Sequence, residues 1–182
     1  MNVADEIFAV FNERGAGVYF GEGVSMIEHA LQAAHFARQE SAPPGLVVAA
    51  LLHDIGHLVE AVPDDLADWV DDARHEEVGA KWLATRLRPE VSEPVRLHVP
   101  AKRYLCATDG KYVAMLSQAS VVTLKLQGGP LSQSEVLQFE TEPFSKDAVR
   151  VRRWDDLGKV VGLKTPGLAE YRQLIEEFAL RG

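Results

Sequence analysis

Six histidines occur in the 182-residue chain: His29, His35, His53, His57, His75 and His98. One of them directly precedes an acid, in the run His53-Asp54-Ile55-Gly56-His57. An imidazole beside a carboxylate at the end of an apolar helix is expensive to bury unless something pairs with it, and a metal ion supplies that pairing. Neighbouring residues on a helix point about 100° apart, so His53 can reach one ion while the Asp54 carboxylate bridges two. Taken alone, the dipeptide is a weak signal and reads more readily as a helix end whose polar residues meet solvent. The wider pattern sharpens it. His29, His53, His75 and His98 fall on four separate predicted helices, each near an end or on a facing stripe, and Asp155 closes the order within Arg152-Arg153-Trp154-Asp155. Imidazole plus carboxylate suits iron, manganese or zinc, and the set offers no thiolate. His35, six residues after His29, falls off the face of its helix and reads as structural or exposed.

Those ligands need helices to hold them. Helical periodicity dominates and no strand alternation persists, so an all-α fold is expected. Val3 to Arg14 reads as a helix stopped by Gly15. A glycine-rich loop from Gly15 to Gly23 holds Tyr19 and Glu22. Ser25 and Glu28 form a capping box that starts a helix running to about Gln39. Pro43-Pro44 opens the next, whose run Leu46-Val47-Val48-Ala49-Ala50-Leu51-Leu52 is apolar on every side, as a central buried helix must be. Leu58 to Arg74 reads as a loop or short helix over the surface. His75–Leu87 is a predicted helix broken by Pro89, and Ser92-Glu93-Pro94 opens another that reaches His98. Later helices are expected over Lys111–Leu126, Ser132–Glu142 and Pro166–Leu180, the last with Thr165 as its cap. No repeat or linker interrupts the chain, so residues 1–182 are expected to form a single domain.

Composition narrows the functions. A formal net charge of -8 argues against a nucleic-acid surface, which needs clustered Lys and Arg. An anionic small substrate stays open, because metal ions and a few placed cations make one pocket positive on an acidic protein. No apolar run reaches the roughly 18–20 residues that span a bilayer, so no membrane partner is expected. With Cys106 as the single cysteine and an N-terminus unlike a signal peptide, a reducing cytoplasm is the expected location.

Several blocks together resemble a known family. They are Tyr19-Phe20-Gly21-Glu22, Glu28-His29-Ala30-Leu31-Gln32, Leu51-Leu52-His53-Asp54-Ile55-Gly56-His57, and His75-Glu76-Glu77-Val78-Gly79-Ala80. Further along stand His98-Val99-Pro100-Ala101-Lys102-Arg103-Tyr104-Leu105, Leu126-Gln127-Gly128-Gly129-Pro130 and Arg152-Arg153-Trp154-Asp155. The chain resembles the HD-domain mixed-valent diiron oxygenases, in the branch that degrades organophosphonates. The resemblance implies a compact HD-domain helical bundle holding two irons, as an Fe(II)/Fe(III) pair. It assigns His29, His53, Asp54 and Asp155 to one iron, and His75 and His98 to the other, with Asp54 bridging. It gives dioxygen as co-substrate and a small phosphonate as substrate. Lys102 would meet the phosphonate, helped by Ser120, Thr123, Gln127 and Arg152, with His57 either behind the metal ligands or in contact with the substrate. Tyr19 would fill the open iron position until substrate displaces it, with Glu22 holding it there.

The resemblance implies cleavage of the C–P bond of a 2-amino- or 2-(trimethylammonio)-1-hydroxyethylphosphonate, giving glycine or glycine betaine plus phosphate. A trimethylammonium prefers aromatic faces, which Tyr19, Phe20 and Trp69 would supply if the Leu58–Arg74 segment covers the site. The alternative is a metal-dependent HD phosphohydrolase acting on a phosphoester, which needs neither Tyr19 nor Glu22. A ligand-binding domain that merely kept the fold would be expected to lack a ligand, and all six are present.

Overall fold

Pro44–Leu52 is the spine of the molecule. Proline opens this helix, where its missing N–H costs nothing, and every following residue from Gly45 to Leu52 is buried. A helix apolar all round must be covered on all sides. The computed structural model describes residues 2–19, 21–59 and 74–180. Phe20, Trp69 and most of the Leu58–Arg74 segment therefore lie outside the described residues.

In chain order the helices are α1 (Val3–Arg14), α2 (Met26–Gln39), α3 (Pro44–Leu52), α4 (Gly56–Val59), α5 (His75–Ala84), α6 (Pro89–Thr108), α7 (Gln118–Leu126), α8 (Gln133–Thr141), α9 (Ser145–Leu157) and α10 (Arg172–Glu177). Helix α3 packs against α2, α6, α9 and α10, while α6 also lies along α5 and α9. Among the described residues there is no strand, only the isolated bridges Val18–Ser25 and Leu87–Ala179, so the fold is all-α as the periodicity predicts. No described helix is long and apolar enough to cross a membrane.

Local chemistry sets several boundaries where expected. The Ser25 hydroxyl accepts the Glu28 N–H, and the Glu28 carboxylate accepts the Ser25 N–H at 2.7 Å. Ser132 and Glu135 repeat the device at α8.

Four boundaries differ from the sequence expectation. The His75 helix stops at Ala84. Helix α6 begins at Pro89 itself and runs through Pro94 and Pro100 to Thr108. An interior proline costs a helix about 3 kcal/mol. The buried face Val91, Val95, Leu97, Ala101 and Leu105, packed against α5 and α9, offsets that cost. The expected helix over Lys111–Leu126 is instead a short 3-10 turn, Val113–Met115, followed by α7. Ser117 caps α7 by accepting the Ser120 N–H. Near the C-terminus, Thr165-Pro166 caps nothing. A 3-10 turn over Leu168–Tyr171 precedes the short α10. The unexpected element is α9, a charged stretch whose inward face is Ala148, Val151, Arg152 and Asp155. Their three-to-four-residue spacing marks a helix once Arg152 and Asp155 are counted as inward-facing.

Candidate metal centre and substrate cavity

Each candidate ligand sits on a different part of the bundle. His29 lies one turn inside α2, His53 and Asp54 follow the C-terminal end of α3, His75 begins α5, His98 is mid-α6, and Asp155 is near the end of α9. All six are buried. Backbone carbonyls orient three of the imidazoles. The Nδ1 atoms of His29, His53 and His98 lie 2.9, 2.8 and 2.7 Å from the carbonyl oxygens of Gly158, Ala50 and Val95. A carbonyl only accepts, so each Nδ1 carries a proton and each ring turns its Nε2 inward. The backbone comes so close at Gly158 that a Cβ there would stand 3.0 Å from His29 Nδ1, and the ring would have to give by a few tenths of an ångström to admit it.

The inward-facing nitrogens meet in two pairs. His29 and His53 place their Nε2 atoms 3.0 Å apart, and His75 and His98 place theirs 3.1 Å apart. Asp54 lies between the pairs. Its Oδ2 is 3.5 and 3.3 Å from His29 and His53, and its Oδ1 is 3.4 Å from both His75 and His98. Asp155 turns Oδ1 toward His29 at 3.4 Å and toward His53 at 3.9 Å. Two lone pairs 3 Å apart repel unless a cation lies between them. Asp54 Oδ2 and Asp155 Oδ1 are moreover buried with no hydrogen-bond donor. Donors bound to one first-row ion at about 2.0–2.2 Å are spaced in this way. The donor set therefore fits two metal ions that share Asp54, and His29-His53-Asp54 and Asp54-His75-His98 are each close enough to hold one.

Electrostatics agree. Burial would lift the Asp54 carboxyl, yet His53, His29 and His75 hold it well below the ordinary carboxylate range. Burial also opposes ionisation of Asp155, and Arg152 with His29 and His53 overcomes it. Burial alone would lower His29, but Asp155 and Asp54 raise it to about 9. His98 has less such help, and burial pushes it down to about 4. The two acids thus demand positive charge at the His29 side in particular.

A cavity of about 40 Å³ opens beside the centre, room for a few waters or the head of a small ligand. Tyr19, Asp54, His57, His75, His98 and Asp155 line its metal side, and Lys102, Ser120, Thr123, Gln127 and Arg152 line the other. The structure thus brings together every candidate residue except Glu22, which does not line the cavity. His57 stacks on His75 with ring centres 4.0 Å apart. Tyr19 stacks on His29 at 3.8 Å. Its phenol is pushed well above the ordinary range by burial and then by the Asp155 and Asp54 charges. Lys102 is buried and donates to Thr123 Oγ1 at 2.9 Å, while Gln127 Oε1 is buried without a donor. Arg152 has a second duty beside the cavity. It donates to Asp155 Oδ2 at 2.6 Å and to the Tyr112 hydroxyl at 2.9 Å, and pairs with Asp156. Part of the guanidinium is therefore committed to aiming Asp155.

Sequence reasoning misses three residues of this assembly. Tyr112 and Asp156 brace Arg152, and Lys159 lines the cavity. Nothing in the local sequence marks Lys159, because its position depends on how the chain leaves α9.

The HD domain family matches residues 26–157, a span that includes all six candidate ligands. The chain belongs to the HD-domain family. This HD-domain chain is 45% identical over 171 residues, 93% of its own length and 85% of the relative's, to a hydroxymethylphosphonate dioxygenase of Gimesia maris. It is 41% identical over 175 residues, 96% and 89% of the two lengths, to the [1-hydroxy-2-(trimethylamino)ethyl]phosphonate dioxygenase (glycine-betaine-forming) of Leisingera caerulea. Within the HD-domain family it therefore groups with the phosphonate-oxidising branch.

Proposed function

We propose that this chain is a diiron dioxygenase that cleaves the C–P bond of a small 1-hydroxyphosphonate, and that residues 1–182 work as one HD domain. The observation behind the reading is Asp54, whose two oxygens face two separate pairs of imidazole nitrogens beside a cation-lined cavity. His29, His53, Asp54 and Asp155 would hold one iron, and His75 and His98 the other. An Fe(II)/Fe(III) pair there supplies redox chemistry toward dioxygen and Lewis acidity toward the substrate's oxygens.

The chain's own residues supply binding and alignment. A phosphonate dianion needs cations and several donors. Lys102, Arg152, Ser120, Thr123 and Gln127 present them in the cavity beside the centre, and His57 lines it too. Dioxygen gives one oxygen atom to each product. The C–P bond breaks, phosphorus leaves as phosphate, and the hydroxyl-bearing carbon leaves as a carboxylic acid. Candidate substrates are hydroxymethylphosphonate and the 2-amino- and 2-(trimethylammonio)-1-hydroxyethylphosphonates, giving formate, glycine or glycine betaine.

The test is turnover of these three compounds under oxygen, with phosphate release and oxygen uptake followed together and iron measured in the purified protein. Equimolar oxygen uptake and phosphate release by an iron-loaded chain is expected. Phosphate release from a phosphomonoester with no oxygen uptake, by a zinc- or manganese-loaded chain, would instead make the protein a phosphohydrolase.

Tyr19 is assigned the position that closes the iron side of the cavity until substrate arrives. Its phenol is held neutral by burial and two carboxylates, so only a metal would draw off its proton. The ferric protein is expected to show a visible tyrosinate-to-iron band that Tyr19→Phe loses and that substrate bleaches. A Tyr19→Phe protein with the band intact would remove Tyr19 from the centre.

A further inference from the structure

Lys159 is built into the cavity wall at the point where α9 ends. The backbone on either side of it is pinned to α2. The Gly158 carbonyl lies 2.9 Å from His29 Nδ1, and both the N–H and the carbonyl of Val160 bond the buried Gln32 amide at 2.9 Å. The ammonium makes two hydrogen bonds and one ion pair. It donates to Ser117 Oγ and Ser120 Oγ, each at 3.1 Å, and pairs with Glu22 at 3.3 Å. It also lies 5.8 Å from the centre of the Tyr19 ring. The Lys159 side chain is 12% exposed and that of Glu22 is 20% exposed, so this is not a solvated surface pair. Lys159 lines the cavity and Glu22 does not.

A substrate bearing an ammonium needs a carboxylate near its cationic end. Among the residues that line the cavity, the carboxylates are Asp54 and Asp155, and both are turned toward the histidines. Glu22 pairs with a lysine that lines the cavity, and so already has a cation in front of it. A second ammonium would sit against Lys159, with Lys102 and Arg152 on the same wall. Like charges a few ångströms apart in a partly dry site repel strongly. We propose that Lys159 is a specificity-determining residue, which by occupying Glu22 selects a 1-hydroxyphosphonate with no cationic substituent and rejects its aminated counterparts. The proposal rests on the phosphonate-oxygenase reading of the site.

The experiment compares kcat/KM for hydroxymethylphosphonate and 2-amino-1-hydroxyethylphosphonate in the iron-loaded protein and in Lys159→Met and Lys159→Arg. Wild type is expected to prefer the uncharged compound by at least about tenfold. Lys159→Met should shift the ratio toward the aminated compound by about a hundredfold, or roughly 2.7 kcal/mol at 1.36 kcal/mol per decade, while Lys159→Arg keeps the wild-type preference. A purely structural lysine would lower both rates together. A ratio unchanged in Lys159→Met, or a wild-type preference for the aminated compound, overturns the proposal while leaving the oxygenase reading intact. The wild-type comparison decides the matter even if the methionine variant does not fold. Turnover of neither compound, with phosphate released from a phosphomonoester, would overturn the oxygenase reading and this proposal with it.

Discussion

Asp54→Ala is expected to lower kcat/KM for phosphate release by at least about a thousandfold, close to 4 kcal/mol of transition-state stabilisation, and to empty both halves of the metal centre. The reason is topological. Every other candidate ligand faces one pair of imidazoles, whereas Asp54 turns Oδ2 to His29 and His53 and Oδ1 to His75 and His98. Without it, four imidazoles converge and Asp155, on the His29 side, is the one carboxylate left in the candidate ligand set to balance two cations. His98→Ala should behave differently, weakening the His75 side first and sparing the His29 side. Metal content measured on the two variants separates these outcomes. His35→Ala is the control, because His35 lies outside the candidate ligand set, against Gln39 at 3.0 Å and the Phe36 ring, and should keep both metals and rate. An Asp54→Ala protein that retains two metal equivalents and more than about a tenth of the activity would sink the shared-ligand centre.

His29, His53 and Asp54 were legible in the sequence because local signals anchor them, whereas Asp155 lies on α9, which the periodicity did not predict. The capping box fixes where α2 begins and so places His29 one turn inside it. The all-apolar α3 can only be central, which puts His53 and Asp54 at the core's edge. The wall opposite was less legible. Arg152 and Lys102 look like surface charges until burial is known, and α9 hides because its inward face is half ionic. Arg152 was expected on the substrate and also proves to be a brace for Asp155, an assignment that depends on Tyr112 and Asp156 arriving from elsewhere. Lys159 could not be read at all. Its partners come from two separate stretches of chain, at Glu22 and at the start of α7 with Ser117 and Ser120. Prolines misled in the other direction. Pro94 and Pro100 argue locally for a break, yet a twenty-residue helix runs through both, since its buried face would lose more by stopping.

Gly56→Ala is expected to destabilise the protein by about 3 kcal/mol and to lower its Tm by about 6–12 °C. Glycine stands in the middle of His53-Asp54-Ile55-Gly56-His57 for a reason of space. A Cβ at Gly56 would fall 1.9 Å from the backbone oxygen of His75 and 3.0 Å from the backbone nitrogen of Gly79. Gly79 faces it in turn, for a Cβ there would lie 3.1 Å from the Gly56 nitrogen. The start of α4 and the first turns of α5 thus touch backbone to backbone, and a methyl group cannot enter unless α5 moves. His75 is the first residue of α5, and its Nε2 lies 3.4 Å from Asp54 Oδ1, so the displacement is passed directly to the metal centre. The variant should therefore lose metal from the His75–His98 side more readily than from the His29–His53 side, beyond its loss in melting temperature. Gly167→Ala gives the contrast. Its backbone has φ -75 and nothing stands within 4 Å of the added carbon, so restricting the unfolded chain should leave stability unchanged or raise it by up to about 1 kcal/mol. If Gly56→Ala instead melts together with Gly167→Ala and holds both metals equally, the close approach of Gly56 to His75 and Gly79 cannot be what positions the second pair of imidazoles.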